Sequence, residues 1–80
     1  MSAEIRKAAR EAKLLKDDPT FKSVVASVRE AQISVFMSSR ADEVSAREQA
    51  HGIILALNQI EATLDASIGA ETLLDRKQRT

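Results

Sequence analysis

Apolar residues return along this chain at spacings of three and four, in stretches separated by short polar breaks. In the first stretch Ile5, Ala8, Ala9, Ala12 and Leu15 share one side of a helix. The positions between them hold strong helix formers such as Glu, Lys and Arg. A helix over residues 3–16 is predicted, with a thin, alanine-rich stripe that docks weakly unless a partner covers it. Arg6, Arg10 and Lys13 fall together on another face. Asp17-Asp18-Pro19 then breaks the pattern. A residue before proline is pushed out of the α region, so the first helix ends near Lys16. Asp18 suits the N-cap of the next helix, and Pro19 suits its first turn, where no N–H is required.

From 19 to 37, Phe21, Val24, Val25, Val28, Val35 and Phe36 make one stripe, interrupted by Gln32. Four valines and Ile33 would also suit a strand. The 21/24/25/28 series is helical, however, and strict alternation is absent. A smaller stripe of Ala26, Ile33 and Met37 lies well over 100° further round, at about 100° per residue. Residues 38–42 read as a connection. Ser45 and Glu48 match a capping box, with Asp42 as a rival cap, so the third helix is expected over residues 43–68. Its stripe is Ala50, Ile53, Ile54, Leu57, Ile60, Leu64 and Ile68, followed by Gly69 where a left-handed glycine would end it. Gly52 inside this helix costs about 1 kcal/mol relative to alanine, and either lets a neighbour in an antiparallel pair approach closely or is simply tolerated. Residues 70–80 are expected as a short helix or basic tail through Leu73 and Leu74.

The segment Ile53 to Leu57 is apolar nearly all the way round, and Leu55, Ala62 and Ala66 form a second stripe. A helix apolar on two sides has to be covered on two sides. The expected architecture is therefore a single all-α domain over residues 1–80. It is an elongated antiparallel helical hairpin (19–37 and 43–68) with an N-terminal helical arm, completed by oligomerisation or a partner. The residues expected to meet that partner are Ala26, Ile33, Met37, Leu55, Ala62 and Ala66.

Composition sharpens this picture. Of the 35 apolar residues in the 80-residue chain, 13 are alanine, so little side-chain volume is available for a core. Chains of this size sit near the limit of self-sufficient stability. With no cysteine, a disulfide framework and thiolate metal sites are excluded. The formal charge is zero but segregated. Residues 1–16 hold five bases against two acids, residues 17–72 four against nine, and residues 73–80 three against one. This arrangement suits head-to-middle contacts between copies, or a hold on a polyanion through Arg6, Arg10, Lys13, Arg76, Lys77 and Arg79. No apolar run reaches the ~18–20 residues of a membrane span, and no secretory h-region follows the first residues, so a soluble intracellular protein is expected.

Catalytic groups are scarce. His51 is the only histidine; with Glu48 it makes a Glu-x-x-His unit, of which a di-iron bundle needs two plus further glutamates. A surface or interface histidine is expected, with no metal and no cofactor. Glu61 is expected at the edge of the stripe with its head in water, or paired with Arg29 or Arg47. Gln32 is either a polar residue fixing helix register or an edge position. The serines have no histidine or lysine in a nucleophile setting, and two glycines make no phosphate loop. An enzyme is not expected. A helix-turn-helix reading fails on the third helix, whose centre is apolar and whose one base is Arg47.

The pattern Leu14-Leu15-x-Asp-Asp18-Pro19-x-Phe21, a long helix, a polar break, Ala46-Arg47-Glu48 and the helix Ile53 to Leu64 resembles the small helical-hairpin proteins encoded among the head and neck genes of tailed bacteriophages and prophages. The resemblance covers roughly residues 12–68. Members often carry more aromatics in the second helix and a longer tail; here Phe36 is the one late aromatic and the tail is short. The resemblance implies a virion structural or assembly protein, repeated in many copies and present in host cytoplasm during assembly. It would bind itself or larger phage structural proteins. The other function classes the residues admit are a nucleic-acid-associated packaging or regulatory protein using the basic ends, and a free cytoplasmic adaptor or chaperone with an apolar groove.

Overall fold

The computed structural model describes residues 2–79 and contains three helices: α1 (Ser2–Asp17), α2 (Pro19–Ser38) and α3 (Val44–Gln78). The one-residue break between α1 and α2 forms as its sequence dictates. The Asp18 carboxylate accepts a hydrogen bond from the Phe21 N–H at 2.8 Å, and Pro19 occupies the first turn of α2. The turn before α3 is built differently from the capping-box expectation. Glu43 is the N-cap, it makes no side-chain cap bond, and the helix starts at Val44. The Glu43 carboxylate folds back onto the turn, accepting from the Arg40 N–H at 2.9 Å and from its Nε at 3.3 Å. Arg47 closes the same turn from the other side, donating to the carbonyls of Arg40 and Ala41 and to the Ser39 hydroxyl.

The largest correction concerns α3, which does not stop at Gly69 but continues to Gln78. Neither Gly52 nor Gly69 has a positive φ, so Gly69 is not a helix-ending glycine. A β-carbon at either would meet nothing within 4 Å, so Gly52 is no close-approach point. The continuation has a tertiary cause, because α1 packs on the C-terminal part of α3 more extensively than α2 packs on its N-terminal part. The arm therefore docks on its own chain and supplies a partner for residues 67–78.

Cross-helix pairs fix the direction of packing. As numbers rise from Arg6 through Lys13, Lys16 and Arg29 to Ser39, their partners fall from Asp75 through Glu71, Asp65 and Glu61 to Arg47. Both α1 and α2 thus run antiparallel to α3, one after the other. At 1.5 Å per residue the 16 and 20 residues of α1 and α2 total about 54 Å, and the 35 of α3 about 52 Å. The result is a ribbon two helices wide, 57 × 23 × 17 Å.

Its seam has the alternating four-and-three spacing of a coiled coil. The buried or half-buried positions that follow it are Ile5, Ala9 and Ala12 in α1, Phe21, Val25, Val28, Gln32 and Val35 in α2, and Ser39 at the C-cap of α2. In α3 the spacing continues through Ala46, Ala50, Ile53, Leu57, Leu64, Ser67, Glu71 and Leu74, with Ile54 and Ile68 of the expected stripe half-buried beside it. In heptad letters, Ala50, Leu57 and Leu64 are a positions, with Ala46 and Ile53 at d. This seam is narrower than the expected stripes. Gln32 lies in it, while Val24 (55% exposed) and Leu15 (43%) lie outside, and Ile60, at a d position of the seam, is left 46% exposed. Only Ala9, Ala12, Ala50 and Leu57 are buried, and among the described residues no large side chain is fully enclosed.

Candidate interaction surfaces

An antiparallel pair has two flanks, one where e positions meet and one where g positions meet. The e flank carries the charges. Arg6 donates to Asp75 at 2.9 Å and to Gln78 at 3.0 Å, and lies 3.6 Å from Glu71; Lys13 meets Glu71 at 2.9 Å. Lys16 pairs with Asp65, and Arg29 binds Glu61 and, at 2.9 Å, Asn58. These side chains are partly or largely exposed, and the pairs made by Arg6, Lys13 and Arg29 contribute at most about 1 kcal/mol each. Their order along the ribbon nevertheless selects the register. The hydrogen bond that Lys16 donates to the Asp65 carboxylate, and the charge of that carboxylate, hold the Lys16 ammonium above the ordinary lysine value of 10.5. Glu61 keeps its carboxylate half exposed at the seam edge and takes Arg29, one of the two partners expected for it.

The expected polyanion contacts fall into two groups. Arg6 and Lys13 are bound to acids of their own chain, so the basic block of α1 is answered by the acidic side of α3. Arg10 lines a shallow groove with Lys13, Leu14, Asp17, Asp18 and Glu71, where acids again alternate with bases. Arg76 and Lys77 occupy the last turn of α3 and Arg79 is its C-cap. The Arg6–Gln78 bond brings this end beside the start of α1. His51 is exposed, in a shallow depression with Phe36, Val44, Arg47 and Glu48. Among the described residues no three His, Asp or Glu side chains gather as metal ligands, and no helix is long and apolar enough to cross a membrane.

All six expected interface residues are exposed: Ala26, Ile33 and Met37 on α2, Leu55, Ala62 and Ala66 on α3. Met37 is 84%, Leu55 52% and Ile33 48% exposed. The ribbon does not bring the two stripes together. Ala26 and Ile33 sit beside the e flank, Met37 and the pair Leu55 and Ala62 point out of opposite edges, and Ala66 borders the g flank. What the helical-wheel reading missed is the g flank itself, which becomes visible only once the four-and-three seam is known. There Val24, Ala31, Ala56 and Thr63 are exposed beside Ile60, and a shallow hollow is lined by Ala56, Gln59, Ile60, Thr63 and Leu64. No family model, no curated protein and no solved structure matches the chain.

Proposed function

We propose that this chain is a non-enzymatic structural or assembly protein of a tailed-phage particle, associated with its head, neck or portal and acting through helix-face contacts with other proteins. The observation that carries the assembly role is the incomplete core. Folded monomers of 8.8 kDa expose roughly 4,800 Å² by the usual scaling of surface with mass, whereas this ribbon exposes 6073 Å². The excess, roughly 1,300 Å², is more than the roughly 800 Å² that one partner contributes to a standard stable interface. It includes Val24, Ile33, Met37, Leu55, Ile60 and Leu73. A lone two-helix ribbon gains little by leaving such residues in water, while a subunit of an assembly gains by covering them.

The phage setting comes from the Asp18-Pro19-x-Phe21 layout and its resemblance to head and neck hairpin proteins. Mass spectrometry of purified particles from a strain that encodes the chain tests it. The protein is expected in stoichiometric amounts in washed particles; its presence in the producing cells but not in the particles would refute the assignment.

A further inference from the structure

We infer that the g flank of the ribbon is a self-docking surface, on which a second copy of this chain packs face to face to complete a four-helix core. The inference deepens the assembly reading, since it names the first partner as another copy, and it does not depend on the particle in which assembly occurs.

Charge distribution carries the argument. Along α2 and along residues 45–73 of α3, every position of the g flank and the adjoining c row is exposed and uncharged, holding Thr, Ser, Val, Ala, Gln, Gly or Leu; charge on this side is confined to the α1 end, where it includes Glu4, Glu11 and Asp18. The opposite flank holds Lys22, Arg29, Arg47, Glu61 and Asp65 over the same length, interleaved with Phe36, Ile54 and Ile68. In a chain whose residues are 30% charged, this separation is sharp. A surface that recognises an acidic, basic or nucleic-acid partner carries complementary charge. A surface without charge fits another without charge, and the same face on a second copy satisfies that condition with matched length. Two-fold pairing of one patch with itself is also the commonest geometry of soluble oligomers.

The area is adequate. About 42 Å of α3 and 30 Å of α2 lie on this face; at roughly 10 Å of width per helix they present roughly 700 Å². Standard stable interfaces cover about 600–1,000 Å² per partner, and this face lies within that range. Pairing would cover Val24, Ile60 and Leu73, which are 46–55% exposed in one chain. The small Ala31 and Ala56 between them leave room for ribbons to approach closely, as facing helices of a bundle do.

Sedimentation equilibrium of the full chain tests the proposal. The wild type is expected at twice the 8.8 kDa chain mass in the micromolar range. Ala56→Glu puts a carboxylate on the dry face and is expected to weaken pairing at least 100-fold; Ala62→Glu, on the outer edge of α3, is expected to leave it within about threefold. A second readout covers loss of fold in the charged variant. The native chain has no cysteine, so Ala56→Cys carries a unique thiol. Its alkylation is expected to slow as protein concentration rises, while that of Ala62→Cys stays constant. A wild type that remains monomeric throughout would overturn the inference, and so would a dimer broken by Ala62→Glu but not by Ala56→Glu, or a concentration-independent thiol at position 56. None of these results bears on whether the chain is found in particles.

Discussion

Truncating two leucines only two residues apart separates the seam from the outer edge of the ribbon. Leu57 is 9% exposed and, among the described residues, is the one large side chain of the buried core; Leu55 is 52% exposed at the back of the same helix. Leu→Ala removes about three methylene equivalents, or about 2.4 kcal/mol at 0.8 kcal/mol each, when the side chain is fully buried. The seam lies close to the surface, so surroundings can relax or water can enter, and the additional cavity cost stays at the low end of its range. Leu57→Ala is therefore expected to lose about 2–3 kcal/mol, and Leu55→Ala about 1 kcal/mol or less, since half of that side chain is already in water. The helix propensities of leucine and alanine differ too little to change the ranking. Urea unfolding followed by circular dichroism at 222 nm measures both, and for a chain of this size the larger loss corresponds to a fall in Tm of roughly 10 °C or more. Equal losses would refute the reasoning, because Leu55 would then be covered as thoroughly as Leu57 and the outer edge of α3 would be an interface.

Three further outcomes follow from the geometry. Gly69→Ala and Gly52→Ala should each stabilise the chain by about 1 kcal/mol in thermal melts, because both glycines are helical, lack positive φ and have open space at the β-carbon position; destabilisation at Gly69 would restore it as a helix end. Asp18→Ala should cost about 1 kcal/mol by loss of the cap on Phe21, measured by urea unfolding, and a neutral result would mean that the break holds without it. The raised value of Lys16 means that, wherever the Asp65 carboxylate is ionised, their pair stabilises the fold below the ordinary lysine value of 10.5, and that this contribution disappears as pH rises through the raised value. Asp65→Asn should return the Lys16 titration, followed by NMR at the ε-methylene, toward 10.5, and an unmoved titration would show that the pair is absent in solution.

The helices at 19–38 and from residue 44 were legible because their apolar spacing and the Asp18-Pro19 break are local features. The course of residues 69–78 was not. Gly69 is a strong local stop, and what overrides it is packing of a helix more than 50 residues earlier, through Ala9, Ala12 and the ions Arg6 and Lys13. Stripe membership was legible only coarsely. Valines and phenylalanines look like core wherever they fall within about a quarter turn of the axis of a stripe, so Val24 and Phe36 were grouped with Val25 and Val35. The closely paired antiparallel helices instead keep a narrow 3.5-residue seam that passes through Gln32 and leaves Val24 outside. Segregated charge was visible in the sequence, but its use in fastening α1 to α3 depended on knowing that the arm folds back. The uncharged g flank was hidden for the same reason, since no single helix shows it.

Small-angle X-ray scattering across a dilution series tests most directly whether the exposed flank is where the core is completed. Face-to-face pairing predicts that scattering mass doubles with concentration while the longest dimension stays close to the 57 Å of one ribbon. A mass that never rises, or one that doubles together with the length, would contradict it.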